Sequence, residues 1–391
     1  LTGGPGVGKT TTIRALLDTL DAQHISYALA APTGRAAKRM AEATGRPART
    51  LHRLLEFQPK SNDFAYNEHR PLPHQFVIVD EASMLDVLLA YRLVKALSPL
   101  THLLLVGDAD QLPSVGPGSV FADIIKSEAI PRVRLTELFR QARESSIVVT
   151  AHGLQAGVTP SLQSKPTSDF FFLRSESPVA AQQLITDLVA RRLPAHYGFD
   201  PIRDIQVLAP MYRGAAGVVA LNEVLQARLN PTSASLSIAY GDQTFRVGDK
   251  VMAVHNNYDK GPGGVFNGDL GRVVKVEQET HQVWVEFVDE AGTFTVAYES
   301  HELDELALAY ACSIHRAQGS EYPCVVLPLV SQHHLMLQRN LLYTAITRAR
   351  HLCILVGDPR ALQRAVENNA VAGRNTALSQ RLLEPALLKL P

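Results

Sequence analysis

The 391-residue sequence predicts an α/β fold of two tandem units, each a parallel sheet flanked by helices. Three observations predict it. Apolar runs of strand length alternate with stretches of helical period in both halves of the chain, the pattern of parallel sheets. The chain opens on a glycine-rich loop that runs into a helix, Leu1-Thr2-Gly3-Gly4-Pro5-Gly6-Val7-Gly8-Lys9-Thr10. Near residues 240 to 300 the pattern changes to short β-branched and aromatic runs broken by Gly and Asp, which predicts a small antiparallel barrel. The expected division is a first unit at 1–150 with an inserted hairpin at 56–75, and a second at 151–391 with the barrel inserted at 235–303.

The opening loop fits GxxxxGK[ST], in which glycines let backbone N–H groups close on a phosphate chain. Lys9 can reach the outer phosphates and the Thr10 hydroxyl can hold Mg²⁺. Ile13, Leu16, Leu17 and Leu20 recur at helical spacing, so the positive end of a helix faces the anion. Such a loop follows a buried strand, yet only Leu1 and Thr2 precede its first glycine. The sequence therefore reads as a fragment cut through its first strand, with an N-terminal domain of the same protein expected upstream.

Ile25 to Ala31 reads as a strand, ended by Pro32-Thr33-Gly34, and Arg35 to Ala43 as a helix. Between Thr33 and Arg53 six basic residues stand against one acid, Glu42, a local patch suited to a phosphate backbone or to a solvated helix face. Residues 56 to 75, with Phe57, Phe64, Tyr66 and three prolines, read as an inserted hairpin or loop. Phe76-Val77-Ile78-Val79 then delivers Asp80 and Glu81 to a strand's C-terminal edge, where one carboxylate can serve Mg²⁺ and the other an attacking water. Val87 to Leu97 reads as a helix and His102 to Val106 as a strand leading to Gln111. Arg132 to Leu135 reads as a further short strand, and Arg140 beyond it is a candidate arginine finger.

Thr159 to Ser168 reads as a linker. Beyond it Asp169 to Leu173 and Asp204 to Ala209 are expected strands, with helices at Val179 to Leu193 and Ala215 to Leu229. Within the barrel, Gly264-Val265-Phe266-Asn267-Gly268-Asp269 is a hairpin tip. The sheet is expected to resume over Leu306 to Cys312, followed by a strand at Val325 to Val330, a helix over Leu341 to Arg350 and a last strand at His351 to Val356.

Composition narrows the class less than the motifs do. Hydrophobic residues make up 46%, enough for a sizeable core, and 38 basic residues balance 38 acidic ones, so any nucleic-acid surface must be local. Cys312, Cys324 and Cys353 lie too far apart for a CxxC knuckle and suit a reducing cytosol. No apolar run approaches the roughly 18 residues of a membrane span. A cytoplasmic protein is expected, with no membrane partner.

The ordered set GGPGVGKTTT, APTGRAAKRM, RTLHRLL, VIVDEASM, VGDADQLPSVGPG, LTELFRQ, IHRAQGSEYP and LLYTAITRARH resembles the motifs of superfamily 1 DNA helicases of the RecD-like branch, and it covers nearly the whole chain. The resemblance implies two RecA-like lobes, a hairpin insertion in the first that would act as a wedge, and an SH3-like barrel in the second. It implies ATP and Mg²⁺ as cofactors and a monomeric motor that moves 5′ to 3′ on single-stranded DNA, at junctions of single and double strands, in repair or recombination. Gly3, Gly4, Gly6, Gly8, Lys9, Thr10 and Thr11 would bind nucleotide, and Thr10 and Asp80 would bind Mg²⁺. Glu81 would serve the water, Gln111 would sense the γ-phosphate, Arg140 and Arg348 would be arginine fingers, and Gly319 and Glu321 would link nucleotide to strand. Pro32, Thr33, Gly34, Arg35, Thr50, His52, Phe266, Asn267, His315 and Gln318 are the expected nucleic-acid contacts, although a satisfied core histidine is an equal reading of His52 and His315. An adenine-contacting glutamine expected before the loop is absent, so base preference is not legible. An RNA motor of the same superfamily, or an ATP-switched clamp that does not hydrolyse, are the alternatives.

Overall fold

The computed structural model describes residues 1–58, 60–163, 165–231, 237–262, 264–289, 292–369, 374 and 376–384. Two compact units divide the chain, one formed by Leu1–His152 with Asn369–Pro391 and the other by Gly153–Asn368.

The first unit is built on a parallel sheet in the order Ala48–Thr50, Tyr27–Ala31, Phe76–Val79, His102–Leu105. Its central strand is apolar on both faces because both faces are covered. Val77 and Val79 point into a cluster with Leu51, Leu89 and Leu93. Ile78 points the other way, toward Ile13, Leu17 and Leu20 of the helix Lys9–Ala22. Each such side chain, fully withdrawn from water, contributes about 2 kcal/mol. The short strand Thr2–Gly3 pairs in parallel with Arg134–Leu135, and Thr2 also bridges to Gly107. The strand before the loop is thus present in these two residues, and the expected strand at Arg132 to Leu135 is confined to Arg134–Leu135. In the 56–75 insertion Phe57–Gln58 and Asp63–Phe64 pair as a short antiparallel hairpin, and Asn67 and Arg70 form an isolated antiparallel bridge.

The second unit carries five parallel strands in the order Ala311–Ser313, Ile205–Ala209, Tyr322–Leu329, Ala349–Gly357, Phe170–Arg174. A five-stranded antiparallel sheet, Gly292–Tyr298, Gln282–Asp289, Leu270–Glu277, Lys250–Ala253, Leu306–Leu308, and the hairpin Ser237–Tyr240 with Gln243–Arg246 make up the inserted β module. Leu306 to Cys312 is not one strand: Leu306–Leu308 pairs with Lys250–Ala253 in the module, while Ala311–Ser313 pairs with Ile205–Ala209 in the parallel sheet. The helix expected to reach Arg350 spans Arg339–Ile346, because Ala349 already pairs with Tyr322 as the start of the strand Ala349–Gly357. The helix expected from Ala215 begins later, as Val218–Leu229, and a helix Pro359–Glu367 follows the last strand. Among the described residues no helix is long and apolar enough to cross a membrane.

The β module is joined to the parallel sheet through buried polar groups. The Asp249 carboxylate, fully buried, accepts from Gln226 Nε2 at 2.6 Å, Asn230 Nδ2 at 2.7 Å, Arg246 N at 2.7 Å and Tyr310 Oη at 2.9 Å. Beside it the buried Lys250 ammonium donates to Ile205 O at 3.0 Å. Removing the carboxylate strands several buried donors at once, each a loss of roughly 1–3 kcal/mol. Asp249→Ala should therefore destabilise this unit by about 3 kcal/mol or more, read as a lowered urea midpoint in the fluorescence of Trp284, the sole tryptophan.

Candidate functional site

The opening loop takes a shape that only glycine allows at two positions. Gly6 and Gly8 have φ of 74° and 89°, in the left-handed region. A Cβ on Gly8 would lie 2.3 Å from a ring carbon of Phe139, and one on Gly6 would lie 2.6 Å from Ala142 Cβ. Leu138, Phe139 and Ala142 thus pack directly on the loop, and His152 Nε2 lies 3.1 Å from Pro5 O. Gly8 caps the helix Lys9–Ala22 without a side-chain acceptor, which leaves first-turn N–H groups for an anion. Lys9 Nζ donates to Gly3 O at 2.6 Å and Gly4 O at 2.9 Å, folding the ammonium over the loop. Thr10 and Thr11 are exposed at the same helix start.

The neighbouring strand end carries the acids. Asp80 N donates to Ala30 O at 2.9 Å, so Asp80 is still held by the sheet. Glu81 then enters the left-handed region at φ 51°, ψ 38°, a conformation that costs a non-glycine residue about 1–2 kcal/mol. Its amide donates to Asp80 Oδ1 at 2.8 Å, and Arg39 lies 3.7 Å from its carboxylate. Thr10, Arg39, Asp80 and Glu81 line one small cleft with Ile13 and Met40. Burial first, and then the adjacent Glu81 charge, push the Asp80 carboxyl up to about 6. A bound cation acts in the opposite direction. Among the described residues no three or more His, Cys, Asp or Glu converge as a metal site. One carboxylate and one hydroxyl suit Mg²⁺, which draws its other ligands from phosphates and water.

Gln111 lies in the loop after the strand His102–Leu105, and its Nε2 donates to Asp108 Oδ2 at 3.3 Å. Asp108 is buried, and burial together with its charge raises the Asp110 carboxyl. Arg140 begins a short helix, Arg140–Glu144, but its side chain lies outside the described residues.

The expected nucleic-acid contacts divide between the units. In the first, Pro32 and Thr33 follow the strand Tyr27–Ala31. Thr33 caps the helix Gly34–Thr44, which holds Gly34 and Arg35 in its first turn, by accepting from Ala36 N at 3.3 Å. Thr50 caps Leu51–Leu54 by accepting from Arg53 N at 3.2 Å. Both hydroxyls thus have a local structural task. His52 is half-buried against the rings of Phe57 and Phe64, at 5.6 and 5.7 Å, and burial lowers its pKa. In the second unit Phe266 N is held by Asp269 Oδ2 at 2.8 Å, its ring meets Tyr258 edge-on at 5.7 Å, and the exposed Asn267 is tied to Asn256 at 2.9 Å.

His315 sits in a short helical turn, with its pKa lowered by burial, followed by the buried Gln318 and by Gly319. Glu321 accepts from Arg350 at 2.8 Å. Arg348 is 2% exposed and donates to Thr344 O at 3.2 Å and Ser320 O at 3.0 Å. The structure therefore gathers Lys9, Thr10, Asp80 and Glu81 in the first unit, and Gln318, Glu321 and Arg348 around one turn in the second. Sequence reading left Arg39, Asp108 and Phe139 out of the site. Arg39 was visible only as one charge in a basic run, and the other two only as members of the segments VGDADQ and LTELFRQ.

A glycine loop that opens a helix beside an Asp-Glu pair, on one of two parallel-sheet units, defines a P-loop nucleotide-binding protein. Three family models match: an AAA domain over residues 1–117, the SH3 domain of ATP-dependent RecD-like DNA helicases over 221–287, and the UvrD-like helicase C-terminal domain over 308–356. The ATP-dependent RecD2 DNA helicase of Deinococcus radiodurans is 39% identical over 98% of this chain, which spans about half (50%) of that relative's length. The RecBCD enzyme subunit RecD of Mycolicibacterium smegmatis is 32% identical over 98% of this chain and 72% of its own. The chain belongs to the RecD-like branch of superfamily 1 helicases. The Pif1 helicase of Candida albicans shares the fold, with a TM-score of 0.54 at 21% identity over 94% of this chain and 93% of that one.

The packing at Gly8 generates a direct test. Gly8→Ala must strain φ and displace Phe139, so nucleotide affinity should fall at least about tenfold, the equivalent of ~1.4 kcal/mol, in a titration with a fluorescent ATP analogue.

Proposed function

We propose that this chain is the motor portion of an ATP-dependent DNA helicase that translocates 5′ to 3′ along single-stranded DNA and opens duplex, in repair or recombination. The observation that carries the reading is the cleft that brings Thr10, Asp80 and Glu81 together beside Lys9. Family membership supports it, since relatives bear the names of an ATP-dependent DNA helicase and of a RecBCD subunit. We assign residues 1–150 and 151–391 as the two motor lobes, apart from Asn369–Pro391, which belongs to the first compact unit, and 235–303 as the barrel insertion.

In this reading ATP is the substrate. Lys9 and the first-turn amides of Lys9–Ala22 bind its phosphates, with Gly3, Gly4, Gly6, Gly8 and Thr11 shaping the loop. Thr10 and Asp80 would hold Mg²⁺, whose charge supports phosphoryl transfer when bound. Glu81, already turned out of the strand by its backbone, orients the attacking water and takes its proton. Gln111, steered by Asp108, reports on the γ-phosphate. Arg140 and Arg348 are proposed to meet charge on the phosphate being transferred, an interaction worth about 10³ to 10⁵ in rate. Gly319 and Glu321 are assigned to coupling. Thr33, Arg35, Thr50, Phe266, Asn267, His315 and Gln318 are assigned to the DNA strand, where hydroxyl and backbone contacts to phosphates track the chain without reading sequence.

ATP hydrolysis should rise strongly with single-stranded DNA and less with a matched RNA, and a duplex with a 5′ tail should be opened while a 3′-tailed one is not. Hydrolysis indifferent to DNA, or opening of the 3′-tailed duplex alone, refutes the reading. Glu81→Gln should lower kcat by about 10² or more with nucleotide affinity kept within a few fold, because the water loses its base and the phosphates lose nothing.

A further inference from the structure

We infer that Arg374 is a positioning residue for nucleotide hydrolysis, acting through the loop that carries Gln111; the inference rests on the hydrolysis reading above. After Asn368 the chain returns to the first unit. There the Arg374 guanidinium donates from Nη2 to Ser114 O at 2.7 Å and from Nη1 to Gly116 O at 3.0 Å and Gly118 O at 2.6 Å. These acceptors are three carbonyls of one irregular segment, 112–118, which starts immediately after Gln111.

Three carbonyl oxygens aimed at one point repel each other unless a donor stands between them. A planar guanidinium meets several such acceptors at once, which an ammonium on a flexible stem does less well. The Ser114 hydroxyl, itself buried, adds weaker support to the same Gly116 and Gly118 carbonyls at 3.1 and 3.5 Å. On its other side the segment is fixed to the elements that follow the acidic pair. Val87 N donates to Pro117 O at 2.9 Å, and a Cβ on Gly116 would lie 2.4 Å from Asp86 Oδ2. Asp86 caps the helix Val87–Lys95, whose start lies a few residues after Glu81. The segment is therefore clamped between the Glu81 side of the site and Arg374, and Gln111 is the residue that leads into it.

Arg374 is not simply a tail anchor. The tail has a separate attachment, where Thr376 Oγ1 meets the buried Asp123 Oδ2 at 2.7 Å and Leu378 packs on the apolar cluster below. Docking and loop positioning can thus be separated by mutation.

The test compares R374A, R374K and T376V in the full 391-residue chain. R374A should lower DNA-stimulated kcat about tenfold, with KM for ATP within about twofold, and R374K should recover only part of the loss. T376V should leave kcat unchanged while lowering the melting temperature. Equal loss of kcat in R374A and T376V, or none in R374A, overturns the inference. Amide hydrogen exchange over residues 109–118 in the same proteins gives a readout without hydrolysis. It should accelerate in R374A at least tenfold and not in T376V. If the unmutated chain hydrolyses no ATP, the hydrolysis reading fails by itself. Unchanged exchange in R374A then overturns the loop anchoring separately.

Discussion

The hydrogen bonds at the end of the first parallel sheet set the position of the candidate site residues at its edge. Asp80 N is bound to Ala30 O, Val106 N to Val79 O, Ala82 N to Val106 O, and Gly107 N to Leu1 O. These few bonds fix the start of the glycine loop, the acidic pair and the approach to Gln111 relative to one another. Side chains in this region can change within that frame, but a slip of one residue in a strand would turn Asp80 to the other face of the sheet. The chemistry is placed by backbone pairing, and the apolar strands exist to make that pairing stable.

Glu81 shows how the frame is used. A residue that continued the strand would put its side chain on the face of the sheet opposite to that of Asp80. The left-handed turn at Glu81 breaks the extended direction immediately after Asp80, and both carboxylates line one cleft. The strain is held in place by the Glu81 amide on Asp80 Oδ1 and by Arg39 nearby. The second unit handles its own constraint differently. There the inserted β module is bound through the fully accepted carboxylate of Asp249 and the buried ammonium of Lys250. Directional bonds of this kind define one orientation of the module, whereas an apolar seam alone would tolerate several.

Much of the fold was legible because its signals are local. Strands such as Phe76–Val79 and Tyr322–Leu329 are continuous apolar runs, and the glycine loop is a complete pattern. What was not legible depends on partners distant in sequence. The boundary at Ala349 is set by pairing with Tyr322, and the split of Leu306 to Cys312 by two different neighbours, Met252 and Leu208 among them. For the candidate site, the residues on strand ends could be found from the sequence. The tasks of Thr33 and Thr50 as helix caps could not, because a threonine that caps and a threonine that meets phosphate look the same in one sequence. Arg374 was invisible for a related reason: it stands in a tail of mixed apolar and polar residues, and its acceptors are backbone carbonyls 256 to 260 residues earlier.

Lys9 carries one further consequence. Its ammonium already satisfies two of its three donors on Gly3 O and Gly4 O. An anion that needs more than the third donor competes with these neutral acceptors, and for that part its net gain is the difference between a charged and an uncharged partner. A single weakly charged oxyanion gains little from that exchange. An anion that also engages the first-turn amides of the helix Lys9–Ala22 gains on several contacts together, which a single oxyanion at Lys9 alone does not.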